Sequence, residues 1–185
     1  MTLDVDTIVD RIRTAAGEHT PPLAVRDVLD ECLASGGLEA ALPPVTEGGI
    51  TTLYNTADLT VLRVAWTPGI RMVPHDHKVW AVIGMYGGVE DNAFYRRDAE
   101  RGLAGSGGKQ VHAGEVLVLG DDTIHSVANT HQDYAVAIHV YGNDFFAPGR
   151  VEWDFETFTE RPRDQAGIRR TFAEANERFA AEHRA

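Results

Sequence analysis

The spacing of apolar residues divides the chain near residue 50. Before that point apolar residues recur with a helical period, and a first helix is predicted to end at Gly17. Its apolar stripe consists of Ile8, Val9, Ile12 and Ala15. A second helix is predicted between Pro21 and Gly36, with Val25, Val28, Leu29, Cys32 and Leu33 on its apolar face. A last helix is predicted near residues 164–184 by the spacing of Ile168, Phe172, Ala175 and Phe179.

From about residue 50 the apolar period falls to two. Short runs rich in Val, Ile, Thr and aromatic residues cover 60–66, 80–85, 91–96, 115–119, 125–129 and 134–141. Turn residues separate them, and the Gly-rich stretch 102–108 is predicted to be a mobile loop. Many short strands at regular spacing indicate an all-β sandwich or barrel instead of βαβ units. We therefore predict one domain with an N-terminal helical extension (1–40), a barrel (41–155) and a C-terminal helical tail (156–185).

Composition narrows the classes of function. The 185 residues suit a single domain, and 28 acidic against 17 basic residues give a formal net charge of −11. Nucleic acids and anionic membranes both need positive surface, so neither is expected as a partner. The single Cys32 excludes an internal disulfide and a Cys-rich metal site. No apolar run has the length of a membrane span, and the acidic N-terminus has no signal-peptide core, so a cytoplasmic location is expected.

His75-Asp76-His77 is the first pattern that suggests chemistry. Residues i and i+2 of a strand point to the same face, so both imidazoles can reach one metal ion. The pair alone is weak evidence, but its flanks have a recognisable spacing. Gly69, His75, His77, Ala81 and Gly88 match the spacing of the motif G-x5-H-x-H-x3-E-x6-G. A second set, Gly114, Gly120, Asp122, His125 and Asn129, matches that of G-x5-P-x-G-x2-H-x3-N.

These two motifs resemble the signature of the cupin superfamily. The resemblance implies an all-β core built as a cupin double-stranded β-helix, or jelly-roll, barrel, with the N-terminal and C-terminal helices added to it. Ala81 stands where cupins usually have a glutamate ligand, so it leaves His75, His77 and His125 as the expected metal ligands. Three neutral imidazoles leave coordination positions open and do not neutralise a divalent ion. Such a site favours an anionic ligand such as a thiolate.

A cupin with three histidines and these flanks resembles the thiol dioxygenases, the family of cysteine and 3-mercaptopropionate dioxygenases. The matching stretches are 74–85, 124–129 and 137–142. The resemblance implies a non-haem Fe(II) enzyme that adds O2 to a thiol sulfur and yields a sulfinate. His139 and Tyr141 match the last two members of the family's Ser-His-Tyr relay, in which the hydroxyl would face substrate or oxygen. Ala137 replaces the serine, so His139 needs another partner.

A mercapto-carboxylate substrate also needs a cation. Arg150 lies nine residues after Tyr141, and the 3-mercaptopropionate branch has an arginine just after the relay strand. Arg71, which has the strand parity of His75 unless Pro74 breaks it, is the second candidate, and Arg63 is the third. A planar guanidinium can hold a carboxylate through two hydrogen bonds. Glu90, Asp91 and Asn92 follow the turn at Gly87-Gly88 and are interpreted as polar loop residues outside the site.

The sequence thus predicts an iron-dependent thiol dioxygenase with a small thiol and O2 as its partners and with homodimerisation possible. Three alternatives stay open. One is a different O2-using cupin that acts on a carbon substrate, and another is a metal cupin that binds a small ligand without turnover. The third uses Zn, Ni or Mn for hydrolysis or isomerisation, because ligand type alone does not select iron.

Overall fold

The computed structural model describes residues 3–183 and contains four helices and eleven strands in that range. The helices are α1 (Val5–Ala16), α2 (Pro21–Ala34), α3 (Gly37–Ala41) and α4 (Gln165–Glu182). The first six strands are β1 (Gly49–Asn55), β2 (Thr60–Trp66), β3 (Arg71–Asp76), β4 (Ala81–Gly87), β5 (Val89–Asp98) and β6 (Gly102–His112). The others are β7 (Val116–Leu119), β8 (Ile124–Ala128), β9 (Ala135–Tyr141), β10 (Val151–Trp153) and β11 (Glu160–Pro162).

The strands form two antiparallel sheets, which confirms the predicted fold class. One sheet has the order β1-β2-β9-β4-β7 and the other has the order β11-β10-β3-β8-β5-β6. Strands that are neighbours in a sheet are mostly distant in sequence, as β2 and β9 are, and this interleaving is typical of a double-stranded β-helix. The chain therefore has the all-β jelly-roll barrel, with helices at both ends, that the cupin-like motifs indicated.

Strand β9 shows why the first sheet is buried on both faces. Ala135, Ala137 and Tyr141 join the apolar core between the sheets. The alternate residues Val136, Ile138 and Val140 join a second core with α1 and α2. Alternation of side chains along a strand sends one set inward and the other outward. The N-terminal helices therefore cover the outside of the sheet whose inner face forms one wall of the barrel interior.

The predicted mobile loop at 102–108 is wrong, because these residues belong to β6. That strand pairs with β5 along its whole length, from Val89 opposite His112 to Asp98 opposite Gly102. Glycines are permissive but do not prevent pairing, and a neighbouring strand can supply the backbone hydrogen bonds that local propensity does not. The predicted runs also omitted β1, β3, β10 and β11. None of the helices within residues 3–183 has the length and apolarity needed to cross a membrane.

Candidate metal centre

His75, His77 and His125 come together on the inner face of the larger sheet. His75 lies in β3 directly opposite His125 in β8, and His77 is the first residue after β3. The β3–β8 register shifts between Met72 and His75, where Pro74 lacks a backbone N–H. All three histidines are at most 5% exposed. The pairing of β3 with β8 therefore joins two motifs that are about 50 residues apart in the sequence.

The positions of the imidazole nitrogens fit one metal ion. One possible ligand atom from each of the three histidines lies within 4.8 Å of the others, and Nε2 of His77 is 2.9 Å from Nε2 of His125. Two nitrogens bound at right angles about 2.1 Å from a metal are ~3.0 Å apart. Ala81 is buried opposite Tyr141 and offers no donor. Among the described residues, this is the only group of three or more His, Cys, Asp or Glu side chains arranged to hold a metal.

Hydrogen bonds at Nδ1 leave Nε2 of two ligands available to a metal. Nδ1 of His75 donates to the carbonyl oxygen of Val73 at 2.9 Å. Nδ1 of His125 lies 2.7 Å from Oδ1 of Asn92. Metal-binding histidines usually donate the other ring N–H in this way, which fixes the orientation of the ring. Nδ1 of His77 is buried and has no hydrogen-bond partner in the described part of the chain.

The three imidazoles are neutral at physiological pH. Burial lowers the pKa of His125 to about 4 and lowers the pKa values of His75 and His77 well below the ordinary value of 6.5. The mutual repulsion of the cluster and the nearby charge of Arg163 act in the same direction for His75 and His77. Only the neutral form of imidazole has a lone pair for a metal. The cluster therefore needs no deprotonation before it binds an ion at pH 7.

These pKa shifts predict that the metal-free protein loses stability on acidification. Below pH 6.5 the unfolded chain binds protons at these histidines, but the folded protein does not, so the free energy of unfolding falls as pH decreases. At pH 5 the deficit from His125 alone is about 2 kcal/mol. Urea titrations at pH 7 and pH 5 measure this difference, and His112→Ala, which removes an exposed histidine, should show the same slope. A free energy of unfolding that does not change between these pH values would contradict the prediction.

The histidines line a small enclosed cavity between the two sheets. Its free space is about 20 Å³, enough for one water molecule, and the walls include the apolar side chains of Leu62, Val64, Met72 and Ile168. A much larger groove of about 930 Å³ lies along α1 and α2, but it is open and contains none of the clustered histidines. The candidate metal site is therefore in the small cavity and not in the groove along α1 and α2.

Tyr141 and His139 face the histidines from the opposite sheet. Both are on β9, both line the cavity, and the Tyr141 ring centroid is 4.9 Å from that of His77. The Tyr141 hydroxyl is 3.1 Å from Nδ1 of His139. Burial raises the pKa of Tyr141 well above its ordinary value of 10, so its hydroxyl keeps its proton. The structure thus places the expected relay pair beside the metal ligands.

Two buried polar residues on β5 were missed by the sequence. Glu90 is fully buried, and its Oε2 lies 3.6 Å from Nε2 of His139, where Ala137 offers no hydrogen-bonding group. Asn92 donates to Oε1 of Glu90 and faces His125 with its own oxygen. The interpretation of both as polar loop residues is wrong. The alternation of strand faces could have indicated that they are buried, because positions 90, 92 and 94 share one face and Phe94 is apolar.

The structure does not bring the predicted substrate arginines to the cavity. The Arg150 guanidinium is buried and donates to the carbonyl oxygens of His77, Phe145, Ala147 and Asp144 and to Oδ1 of Asn143. These bonds occupy the whole fork, so it ties the segment after β9 to the end of β3. Arg71 is exposed at the start of β3 and does not line the cavity. Arg63 bonds to Tyr86 and Pro43 on the outer side of the first sheet.

Arg163, which the sequence did not single out, lines the cavity instead. The residue as a whole is half-buried, but its Nε atom is inaccessible and has no hydrogen-bond partner among the described residues. Its Nη1 donates to the carbonyl oxygen of Asp76 at 3.3 Å, and the guanidinium carbon lies 5.2 Å from the centre of the Phe145 ring. Burial lowers the pKa of Arg163 to about 10, so the group stays positive at pH 7.

Comparison with solved structures finds other double-stranded β-helices. An RmlC-like cupin family protein from Methanocaldococcus jannaschii matches with 10% identity and a TM-score of 0.47 over 56% of this chain and 87% of that one. A double-stranded β-helix domain protein from Klebsiella pneumoniae matches with 14% identity and a TM-score of 0.41 over 69% and 93%. An oxalate oxidase solved with glycolate matches with 20% identity and a TM-score of 0.43 over 58% and 56%. No protein-family profile matches the sequence.

The strand order identifies the fold, and the geometry of the side chains identifies the candidate site. Two interleaved antiparallel sheets enclose one cavity, with the clustered histidines on one wall and the Tyr141–His139 pair on the other. The chain is therefore a cupin-fold protein, a double-stranded β-helix barrel with a candidate three-histidine metal centre.

Proposed function

We propose that this protein is an iron-dependent thiol dioxygenase that converts a small mercapto-carboxylate into its sulfinate. The observation that carries the proposal is the composition of one cavity: three neutral imidazoles without a carboxylate, a protonated tyrosine and an arginine with an unpaired N–H. The overall reaction joins both atoms of O2 to the sulfur of R–SH and releases one proton, giving R–SO2⁻. The sulfur is oxidised and the oxygen is reduced, so no further reductant is needed.

The histidines supply the part of the site that holds Fe(II). Their Nε2 atoms converge, and their Nδ1 atoms on His75 and His125 are already bonded to oxygen. Iron bound there would offer open positions to the thiolate and O2 and would provide a redox-active centre through which electrons could pass from sulfur to oxygen. Because no carboxylate lines the described part of the cavity, the protein ligands leave the +2 charge uncompensated, which favours an anionic sulfur.

Arg163 supplies the positive charge for the other end of the substrate. Its Nε proton lacks an acceptor within residues 3–183, and an unpaired buried donor carries a free-energy cost that a carboxylate ligand removes. Many of the other lining residues are apolar, such as Leu62, Val64 and Met72, which suits an unbranched carbon chain. The free space of about 20 Å³ means that side chains such as Ile168 must move to admit a substrate, and this favours a small one.

Tyr141 and His139 orient the reactants. Because the Tyr141 hydroxyl stays protonated and donates towards Nδ1 of His139, its oxygen lone pairs face the cavity. A hydroxyl held in this way can accept the hydrogen bond of an incoming thiol. Holding two reactants in a fixed geometry lowers the entropic part of the barrier. The role of His139 is to keep the hydroxyl at one position.

Oxygen uptake with a set of thiols tests the proposal. The iron-loaded protein is expected to consume O2 with 3-mercaptopropionate at a kcat/KM at least ~10-fold above that with cysteine. The reason is that an α-ammonium group finds no anionic partner among the described cavity residues and stays unpaired, at a cost of about 1–3 kcal/mol. Cysteamine, which has no carboxylate, should be a poor substrate. The sulfinate product is measured by mass spectrometry against the O2 consumed, with a ratio of one.

The same protein loaded with zinc is the matched control, because zinc occupies a histidine site without redox chemistry. It should consume no O2. Iron-loaded protein that consumes no O2 with any of the thiols would overturn the proposal and would leave a cupin that binds a metal and a ligand without turnover, or one that oxidises a carbon substrate.

A further inference from the structure

A buried carboxylate outside the cavity lining connects residues of the two cavity walls. Glu90 is fully buried, and its two oxygens accept hydrogen bonds from Trp66 and Asn92 and face a third nitrogen, Nε2 of His139, from beyond hydrogen-bond distance. Oε2 accepts from Nε1 of Trp66 at 2.6 Å and lies 3.6 Å from Nε2 of His139. Oε1 accepts from Nδ2 of Asn92 at 2.9 Å. Burial opposes ionisation, but the contacts with His139 and Asn92 outweigh it, so the pKa of Glu90 lies below its ordinary value. No lysine or arginine within residues 3–183 bonds to this carboxylate, and it is thus retained in the interior without a strong cation beside it.

One branch of this network determines which ring nitrogen of His125 carries the proton. Because the amide nitrogen of Asn92 donates to Glu90, its oxygen points the other way, to a position 2.7 Å from Nδ1 of His125. An amide oxygen only accepts, so Nδ1 of His125 carries the proton. The lone pair is then on Nε2, which faces Nε2 of His77 at 2.9 Å. The ionised carboxylate, acting through Asn92, selects the tautomer that can bind a metal.

The other branch sets the direction of the tyrosine hydroxyl. A carboxylate opposite Nε2 of His139 favours the tautomer of a neutral imidazole that has its proton on that nitrogen and the lone pair on Nδ1. The Tyr141 hydroxyl, 3.1 Å from Nδ1, then donates to it. Ala137, at the third position of this strand face, has only a methyl group, so it provides no partner for His139.

We propose that Glu90 is the positioning residue of the site: through Asn92 it holds His125 in its metal-binding tautomer, and by its contact with His139 it directs the Tyr141 hydroxyl. This inference rests on the metal site of the proposed function but not on the thiol reaction. It assigns the missing partner of His139 to the neighbouring β5 strand of the opposite sheet.

The substitution Glu90→Gln tests the Asn92 branch with little change in shape. The side chain of glutamine has one acceptor oxygen. That oxygen faces Nε1 of Trp66 and Nε2 of His139, because these nitrogens need an acceptor. The NH2 group of the glutamine then faces the NH2 group of Asn92, and the amide of Asn92 turns over to relieve this contact. Asn92 now presents N–H to His125, which must take its proton on Nε2. Zinc affinity, measured by competition with a chromophoric chelator, is expected to fall ~10–100-fold.

The double substitution Glu90→Gln with Asn92→Asp is expected to restore affinity to within ~3-fold of the wild type. One oxygen of the carboxylate introduced at position 92 accepts from the amide introduced at position 90, and the other accepts from Nδ1 of His125. Only the hydrogen bond between positions 90 and 92 changes direction. The matched control is Asp91→Asn, the residue between them, which points to the other face of β5 and bonds Thr130 and Gln110. It should change zinc affinity less than ~2-fold.

Zinc binding as strong in Glu90→Gln as in the wild type, or as weak in the double variant as in Glu90→Gln, would overturn the inference. ¹⁵N NMR of the metal-free wild type gives a second measurement: the Nδ1–H tautomer is expected for His125 and the Nε2–H tautomer for His139, and the opposite tautomer at either would also overturn it. A wild type that bound no zinc would contradict the proposed metal site, whereas these spectra would still decide the role of Glu90.

Discussion

Substitution of His125 by leucine is expected to lower metal affinity by at least ~10³-fold, which corresponds to about 4 kcal/mol. The side chain supplies one of three convergent nitrogens, and no carboxylate or cysteine among the described cavity residues can replace it. Leucine is similar in volume to histidine, so the ring contact with Phe94 is exchanged for another apolar contact and no large cavity forms. Iron content after desalting and isothermal titration with zinc measure the loss, and thiol-dependent O2 uptake should disappear with it.

His112→Leu is the matched control for this experiment. His112 is an exposed histidine at the end of β6 and is not part of the cluster. Its variant should bind metal as the wild type does. If His125→Leu kept full metal content in its folded form, with an unchanged circular dichroism spectrum, then His125 would not be a ligand.

Substitution of Arg163 by methionine is expected to raise the KM for 3-mercaptopropionate by about 100-fold, or about 2.7 kcal/mol, and the KM for cysteamine by less than ~3-fold. Methionine keeps an apolar stem and removes the guanidinium, which lies over the Phe145 ring. A carboxylate that enters a partly desolvated cavity without a cation loses both the ion pair and its hydrogen bonds. Cysteamine has no carboxylate, so its binding does not depend on the guanidinium. Initial rates of O2 uptake over a range of thiol concentrations measure both constants.

Two further arginines serve as controls. Arg169 is exposed on α4, six positions beyond Arg163, and Arg169→Met should leave both KM values unchanged. Arg150→Met should instead lower the thermal midpoint, because five hydrogen bonds to neighbouring residues are lost. An equal rise in KM for both thiols in Arg163→Met would show that Arg163 does not contact the carboxylate.

Local periodicity was sufficient for most of the barrel. The β2 run was predicted at its observed bounds, 60–66, because its apolar residues are continuous and turn residues border it. The edge strand β11 and the Gly-rich β6 escaped prediction for the opposite reason. Their residues have weak strand propensity, and pairing with a neighbouring strand, β10 or β5, is what makes them extended.

Arg150 and Arg163 show which part of the site could not be predicted from the sequence. Arg150 lies nine positions after Tyr141, and this spacing led to the prediction that it binds the substrate carboxylate. It gave no information about which acceptors its guanidinium would meet. The carbonyl oxygens of the segment 144–147 occupy it, whereas Arg163 reaches the cavity after β11 has paired with β10.

The sequence by itself determined the alternation of faces in each strand and therefore that His139 and Tyr141 of β9 share one face. That is a local property, because it depends only on the two-residue repeat of an extended backbone. Only the tertiary structure decided which inward residues meet across the interior. The carboxylate of Glu90 reaches His139, and the free N–H of Arg163 reaches the cavity, because two sheets and a returning segment close on each other. Contacts of that kind depend on the position of every strand, and no spacing within one segment encodes them.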